Sequence, residues 1–358
     1  MIDFVKLRNN DNGFAKRLRQ NANFNFFSKI NPDTGEQADG KQTAELKNLK
    51  VVLYASGMVE VTGSLHKFAN DGAHNYDAFT YGRLVETIGK VAALLDTTPD
   101  RLSLHNVEFG VNVLHDTCPA KFLDAILNYR YKLPDVRTFG GAGYLKQWEQ
   151  QNYIVKVYNK KQQYRLVAHV LRFEVKTMAM VHLAEVEVRT LADLLDVSKL
   201  GGLGILLCET YKGLIIGEKL NTAQMSRPER RVYEQGMNPN FWQDLTDRNQ
   251  RKYYRQRFEQ VVKKYGSGLQ EAIGRLIAEK VEELLKTSYI LPDPENLNFI
   301  HFTTSGKGVK RPNYSTFLQT SESAPKRHCK TCGKPIEYRR RDAVFCEQKQ
   351  CEQPAQQL

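Results

Sequence analysis

Residues 153–176 read YIVKVYNKKQQYRLVAHVLRFEVK, and the fold turns on how this stretch is read. It divides into two β-type runs on either side of a basic turn. In the first run Ile154, Lys156, Tyr158 and Lys160 share one side of a two-residue period, and Val155 and Val157 take the other. In the second, Val167, His169, Leu171, Phe173 and Val175 alternate with Ala168, Val170, Arg172, Glu174 and Lys176. Tyr158 falls where the first run meets the turn. If the runs pair as a tight hairpin, Tyr158 opposes a residue near Leu166, and Glu174 lies roughly 27 Å further along at about 3.4 Å per residue. A bulge or a longer connection would shrink that distance.

Tyr158, Asn159, Lys160 and Lys161 make a Y-x-x-K unit. A phenol has a pKa near 10, so ionising it at neutral pH costs about 4 kcal/mol, a cost that nearby ammonium groups lower. A phenolate held against a phosphodiester can displace the sugar oxygen and keep the strand attached. The same position also suits a tyrosine that only packs at a strand end.

Working outward, residues 2–7 read as an opening strand with Asp3 as its one acid. Residues 31–48 are polar and contain glycine, which predicts a surface loop. Residues 51–54 and 58–65 predict a hairpin. Residues 81–95 place Leu84, Ile88 and Val91 at helical spacing. In residues 104–114 Val107, Phe109, Val111 and Val113 form an apolar face, leaving Asn106, Glu108, Gly110 and Asn112 opposite. An acid and two amides around a glycine is an odd set for packing. Residues 119–129 predict a helix, and Gly140, Gly141 and Gly143 a turn before a short strand at 143–146 rather than a phosphate loop. Residues 191–200 predict a short helix, followed by an apolar stretch over 203–216. The whole predicts an α+β fold, mainly antiparallel sheet with helices packed on one face.

The chain has 358 residues, 41% of them hydrophobic, enough for two domains and an appendage. Its net charge of +12 suits a polyanionic partner. No apolar run is long enough to span a membrane and no signal pattern opens the chain, so a soluble cytoplasmic protein is expected. Past a composition change at 225–228, residues 248–264 carry Arg248, Arg251, Lys252, Arg255, Arg257, Lys263 and Lys264 against Glu259. Tyr254, Phe258, Val261 and Tyr265 share one face, which predicts a helix with an apolar stripe and a basic face for solvent or phosphate. Residues 269–286 predict a second amphipathic helix. Near the end, Cys329, Cys332, Cys346 and Cys351 give C-x2-C, thirteen residues, then C-x4-C. Two close thiolate pairs predict a closed, structural Zn²⁺ site. Cys118 and Cys208 stand alone and read as small buried hydrophobes.

The opening MIDFVKLR, the GSLHKF segment at 63–68, VEFGVNV, KVYNK and LRFEVK occur in one order along the chain. Together they resemble the gene II/gene X family of phage and plasmid rolling-circle replication initiators, known from filamentous phages. The resemblance spans residues 1–220 and leaves out the cysteine-bearing tail. It implies an enzyme that nicks one strand of a replication origin through Tyr158. The products are a 5′-phosphotyrosine and a 3′-hydroxyl that a host polymerase extends. Lys156, Lys160 or Lys161 would stabilise the phenolate or the leaving oxygen. The His-x-His pair of many rolling-circle nucleases is missing, and the acids matching the family's positions are Glu108, Glu174 and Asp3, which would hold Mg²⁺ or Mn²⁺. The implied partners are origin DNA, duplex and single-stranded, and a host helicase and polymerase, in the cytoplasm of a bacterial host and away from membranes.

On this reading residues 1–225 form the nicking domain and 226–303 a helical, basic DNA-binding domain. Residues 304–327 are a linker and 328–358 a four-cysteine zinc module. A plasmid relaxase or transposase would use the same chemistry, and a copy-control protein would bind DNA without cutting it. Tyr153 and Tyr164 are further tyrosines of this stretch, and the sequence assigns neither of them a part in termination. The nicking reading requires Tyr158 to open onto a pocket it shares with a carboxylate, within about 15 Å, or four to five residues of strand.

Overall fold

The alternating runs pair as antiparallel strands in the computed structural model, which describes residues 1–35, 37–116, 118–138 and 144–286. The strands are β1 (Ile2–Asn9), β2 (Phe27–Ile30), β3 (Gln37–Leu46), β4 (Leu49–Tyr54), β5 (Val59–Ser64) and β6 (Ser103–Leu114). They continue as β7 (Ile126–Tyr129), β8 (Asp135–Thr138), β9 (Tyr144–Glu149), β10 (Tyr153–Asn159), β11 (Val170–Thr177) and β12 (Leu214–Ile216). Among the described residues, ten of them make one sheet in the order β2, β3, β4, β5, β1, β6, β11, β10, β9, β8. Every pairing in it is antiparallel. β7 and β12 pair separately.

The helices are α1 (Asn12–Gln20), α2 (Leu65–Ala69), α3 (Tyr81–Leu94), α4 (Pro119–Ala125) and α5 (Lys160–Tyr164). After these come α6 (Val197–Tyr211), α7 (Arg227–Met237), α8 (Pro239–Asp244), α9 (Arg248–Tyr265) and α10 (Leu269–Leu285). None of them is long and apolar enough to cross a membrane. The central strands turn Val107, Phe109, Val111, Val157, Phe173 and Val175 inward, all at 0–1% exposure. Burial of each such side chain stabilises the fold by about 1.5–3 kcal/mol. Helices α6 and α10 pack on this side of β6, and the Tyr211 ring meets Phe173 edge-on at 5.4 Å. Gly204 lets those two helices close, because a Cβ there would collide with Val281. Past α6, Met225, Tyr233, Trp242, Phe258, Val261 and Val262 gather with Ile215 and Leu127 in a second, smaller core. Helix α10 belongs to the main core. All these elements lie in one compact unit.

Three sequence expectations are corrected. Residues 31–48 are not all loop: β3 runs through them and pairs with β2 and β4, its polar residues held by ladder hydrogen bonds that side-chain patterning does not reveal. The helix expected over 119–129 stops at Ala125, and Ile126–Tyr129 form β7 against β12. A short, wholly buried apolar run carries no period that separates helix from strand. The connection after Tyr158 is no tight turn either. Asn159 caps α5 by accepting from the Gln162 amide, Arg165 ends it in the left-handed region at φ 54°, and β11 begins only at Val170. Val167 is therefore 95% exposed.

Candidate active site

The longer connection sets the register of the central pair. Tyr158 lies opposite Arg172, and Lys156 opposite Glu174. On the next strand Arg172 faces Asn112, Glu174 faces Gly110, and Lys176 faces Glu108. Residues paired across antiparallel strands share a face, so one side of the sheet carries Tyr158, Lys156, Arg172, Glu174, Lys176, Glu108 and Asn112. The glycine in this row has a steric role. A Cβ at Gly110 would run into the Phe173 carbonyl and the Glu174 side chain.

Arg172 is the hub. Its Nε donates to Glu174 at 2.5 Å, one terminal nitrogen to Asp3 at 3.1 Å and the other to Asn112 at 3.1 Å. Asp3 also accepts from the Ser64 hydroxyl and from Asn75 at 2.6 Å. Glu174 accepts from Tyr158 Oη at 3.1 Å and from Lys156 at 3.1 Å. Glu108 accepts from Lys156 at 3.3 Å and pairs with Lys176 at 3.2 Å. Burial alone would raise the Glu174 carboxyl, but Lys156 and Arg172 outweigh it and hold it well below the usual range. Glu108 is pushed the other way, by burial first and then by the Glu174 charge.

Tyr158 meets one half of its requirement and fails the other. It touches a carboxylate, but it is only 6% exposed. Burial, and then the charge of Glu174, raise its phenol well above 10, the opposite of an activated nucleophile. Lys160 lies across it, fully buried, with its ammonium 5.2 Å from the Tyr158 ring centre and 4.9 Å from that of Tyr164. The side-chain oxygen of Asn75 accepts from Lys160 and, at 2.9 Å, from Tyr164. Burial and then the Arg172 charge bring Lys160 down to about 7.

The other lysine of the Y-x-x-K unit, Lys161, turns away and donates to the Val167 carbonyl at 3.0 Å. Tyr153 is built into the fold: its hydroxyl meets that of Tyr129 at 2.9 Å and its ring stacks on His182 at 4.1 Å. A small cavity of about 10 Å³, room for about one water molecule, reaches Arg172 past Asp77, His66 and Asn112.

The three acids do not form a cage for Mg²⁺ or Mn²⁺ as arranged. Asp3 and Glu174 converge on the Arg172 guanidinium and Glu108 on two ammonium groups. Among the described residues no three His, Cys, Asp or Glu side chains are grouped to hold a metal ion. Cys329, Cys332, Cys346 and Cys351 lie outside the described residues.

No protein-family model matches the chain. No curated protein matches it. Among solved structures it is similar to a rolling circle replication initiator protein from Geobacillus stearothermophilus, at 12% identity and a TM-score of 0.36. The alignment covers 63% of this chain and 89% of that one.

Five of the seven basic residues singled out on α9 divide into two groups. Arg251 donates to the Leu245 carbonyl, and Arg255 to Glu259 and the Lys212 carbonyl, so both are tied into the fold. Arg248, Lys252 and Arg257 are exposed. Residues that sequence reasoning passed over are Asn75, Ser64 and the hub role of Arg172. Asn75 sits in an irregular loop with no pattern to mark it. Arg172 was visible as one charged residue on an alternating strand, and only its register exposes its partners.

Proposed function

We propose that this chain cuts one strand of a DNA replication origin and keeps the broken end on a tyrosine, initiating rolling-circle replication. One observation carries the reading. The five stretches on which the gene II/gene X resemblance rests meet in a single side-chain network: Asp3 from the first, Ser64 from the second, Asn112 from the third, Tyr158 and Lys156 from the fourth, Arg172 and Glu174 from the fifth. Burying such a cluster gives the fold no clear gain, since apolar residues of similar size often stabilise as well or better. A reaction centre is the economical reason for it.

In this reading Tyr158 Oη attacks the phosphorus, the new O–P bond forms as the P–O3′ bond breaks, and the strand leaves with a 3′-oxygen. On this proposal Glu174 takes the phenol proton, and Lys160 or Lys156 gives one to the departing oxygen. Arg172 offers positive charge to the phosphate. The arrangement described is a closed one, and Lys160, Tyr164 and Asn75 must move before DNA reaches Tyr158.

Incubating a supercoiled plasmid carrying the cognate origin with wild type and Tyr158→Phe protein tests the proposal. Wild type converts the plasmid to open circles and the variant does not; equal nicking by both rejects Tyr158. The burial of Tyr158 favours a second reading, a regulator that binds the origin without cutting it. That reading predicts salt-sensitive binding and no protein-linked DNA on a denaturing gel.

A further inference from the structure

Above Tyr158 the chain of ring contacts continues outward. Lys160 lies between the rings of Tyr158 and Tyr164. Tyr164 meets Tyr76 edge-on at 5.1 Å, and Tyr76 stacks on His74 at 4.1 Å with 19° between the planes. Tyr76, Tyr164 and His74 are all half-buried, the His74 side chain being 30% exposed. Two of the three sit in an irregular loop, which is nevertheless held in place. Asn112 donates to the carbonyls of Asn75 and Tyr76 at 3.2 and 3.1 Å, and Asn70 to that of His74 at 3.0 Å. Charge of both signs lies beside the rings, the Asp77 carboxylate standing 3.5 Å from His74. Lys67 stands near enough for its charge to weigh on Lys160, and the exposed Arg165 follows Tyr164 directly as the cap of its helix.

We propose that His74, Tyr76 and Tyr164 form a stacking site for unpaired nucleobases of single-stranded DNA beside the reacting tyrosine. Flat rings left partly in water, with Lys67 and Arg165 beside them, match the two features of a single strand, its base faces and its phosphates. A duplex hides those faces inside its own stack, so only an unpaired strand can use the site. Base-on-ring stacking also tolerates any sequence, which suits nucleotides that must be held near a bond without being read. The proposal rests on the strand-cutting reading for the reason a strand comes here, but its test needs no cutting.

The test uses the full chain and an oligothymidylate carrying one 2-aminopurine, whose fluorescence falls on stacking against a tyrosine. Wild type quenches the probe. Tyr76→Leu loses the quenching and binds about tenfold more weakly at fixed salt, in line with the usual effect of removing one stacking ring. Tyr76→Trp keeps both, which separates stacking from simple filling of space. Unquenched probe with wild type, unchanged quenching with Tyr76→Leu, or loss of quenching with Tyr253→Leu on α9 instead overturns the proposal. Quenching by a protein that never nicks would refute the strand-cutting reading alone. Nicking with quenching indifferent to Tyr76 would refute this site alone.

Discussion

The Tyr158 hydroxyl rests on the Glu174 carboxylate at 3.1 Å, although sixteen residues separate them in the chain. A tight hairpin would have kept them far apart. The α5 helix and the segment after it lengthen the connection until Lys156 and Glu174 become direct partners across the strands.

That register depends on Gly110. Gly110→Ala places a methyl against the Phe173 carbonyl and the Glu174 side chain, in a buried sheet where neither backbone can give. A loss of about 1–3 kcal/mol is expected, in line with overpacking. Urea unfolding checks it, and a change below about 0.5 kcal/mol would show that the strands part more easily than this packing allows.

Removing the hub leaves its carboxylates buried without their partner. Arg172→Met strips Asp3 and Glu174 of a guanidinium they share, and breaking one side of a buried ion cluster costs about 3–5 kcal/mol. Combining it with Asp3→Asn recovers part of that loss. Additive effects in the double-mutant cycle would show that Asp3 and Arg172 do not interact.

Lys160 gives a pH signature. Its ammonium is lowered to about 7 from 10.5, by burial first and then by Arg172, so between those values the unfolded chain holds a proton that the folded chain lacks. Stability from this group therefore rises with pH across that window, and the penalty is complete below it. The stability of Lys160→Met relative to wild type is expected to decline steadily from about pH 7 to about pH 10.5. A difference that does not vary with pH contradicts the burial of a protonatable amine here.

The basic helix α9 separates by partner. Changing Arg248, Lys252 and Arg257 to Gln together is expected to lower the salt dependence of single-strand binding by about two units of slope, at roughly 0.7 per phosphate contact, with little change in stability. Arg251→Gln and Arg255→Gln are expected to cost stability instead, since both bond to backbone carbonyls. Equal salt slopes for the triple variant and wild type would place the phosphate contacts elsewhere.

Much of this site could be read from the chain before its structure. Alternation put Lys156, Tyr158, Arg172 and Glu174 on definite strand faces, and the acid and amides of β6 stood out as a poor packing set around Gly110. What alternation cannot give is register, and here a five-residue helix supplies it. KKQQY is too short to show a helical period, so Asn159 as a cap was hidden inside the Y-x-x-K unit. The same helix points Lys161 outward and Lys160 inward. Asn75 left no trace at all, because its role comes from where an irregular loop lands, over Asp3, Lys160 and Tyr164. The burial of Tyr158 follows from that landing and runs against the open pocket expected from sequence.

The most direct measurement is the identity of the residue that carries the DNA. Wild-type protein is incubated with its origin as a single strand, digested with protease, and the nucleotide-bearing peptide sequenced by mass spectrometry. The account predicts one adduct, on Tyr158, absent from Tyr158→Phe. An adduct on Tyr164, Tyr76 or any other residue, or origin binding with no adduct, would contradict it.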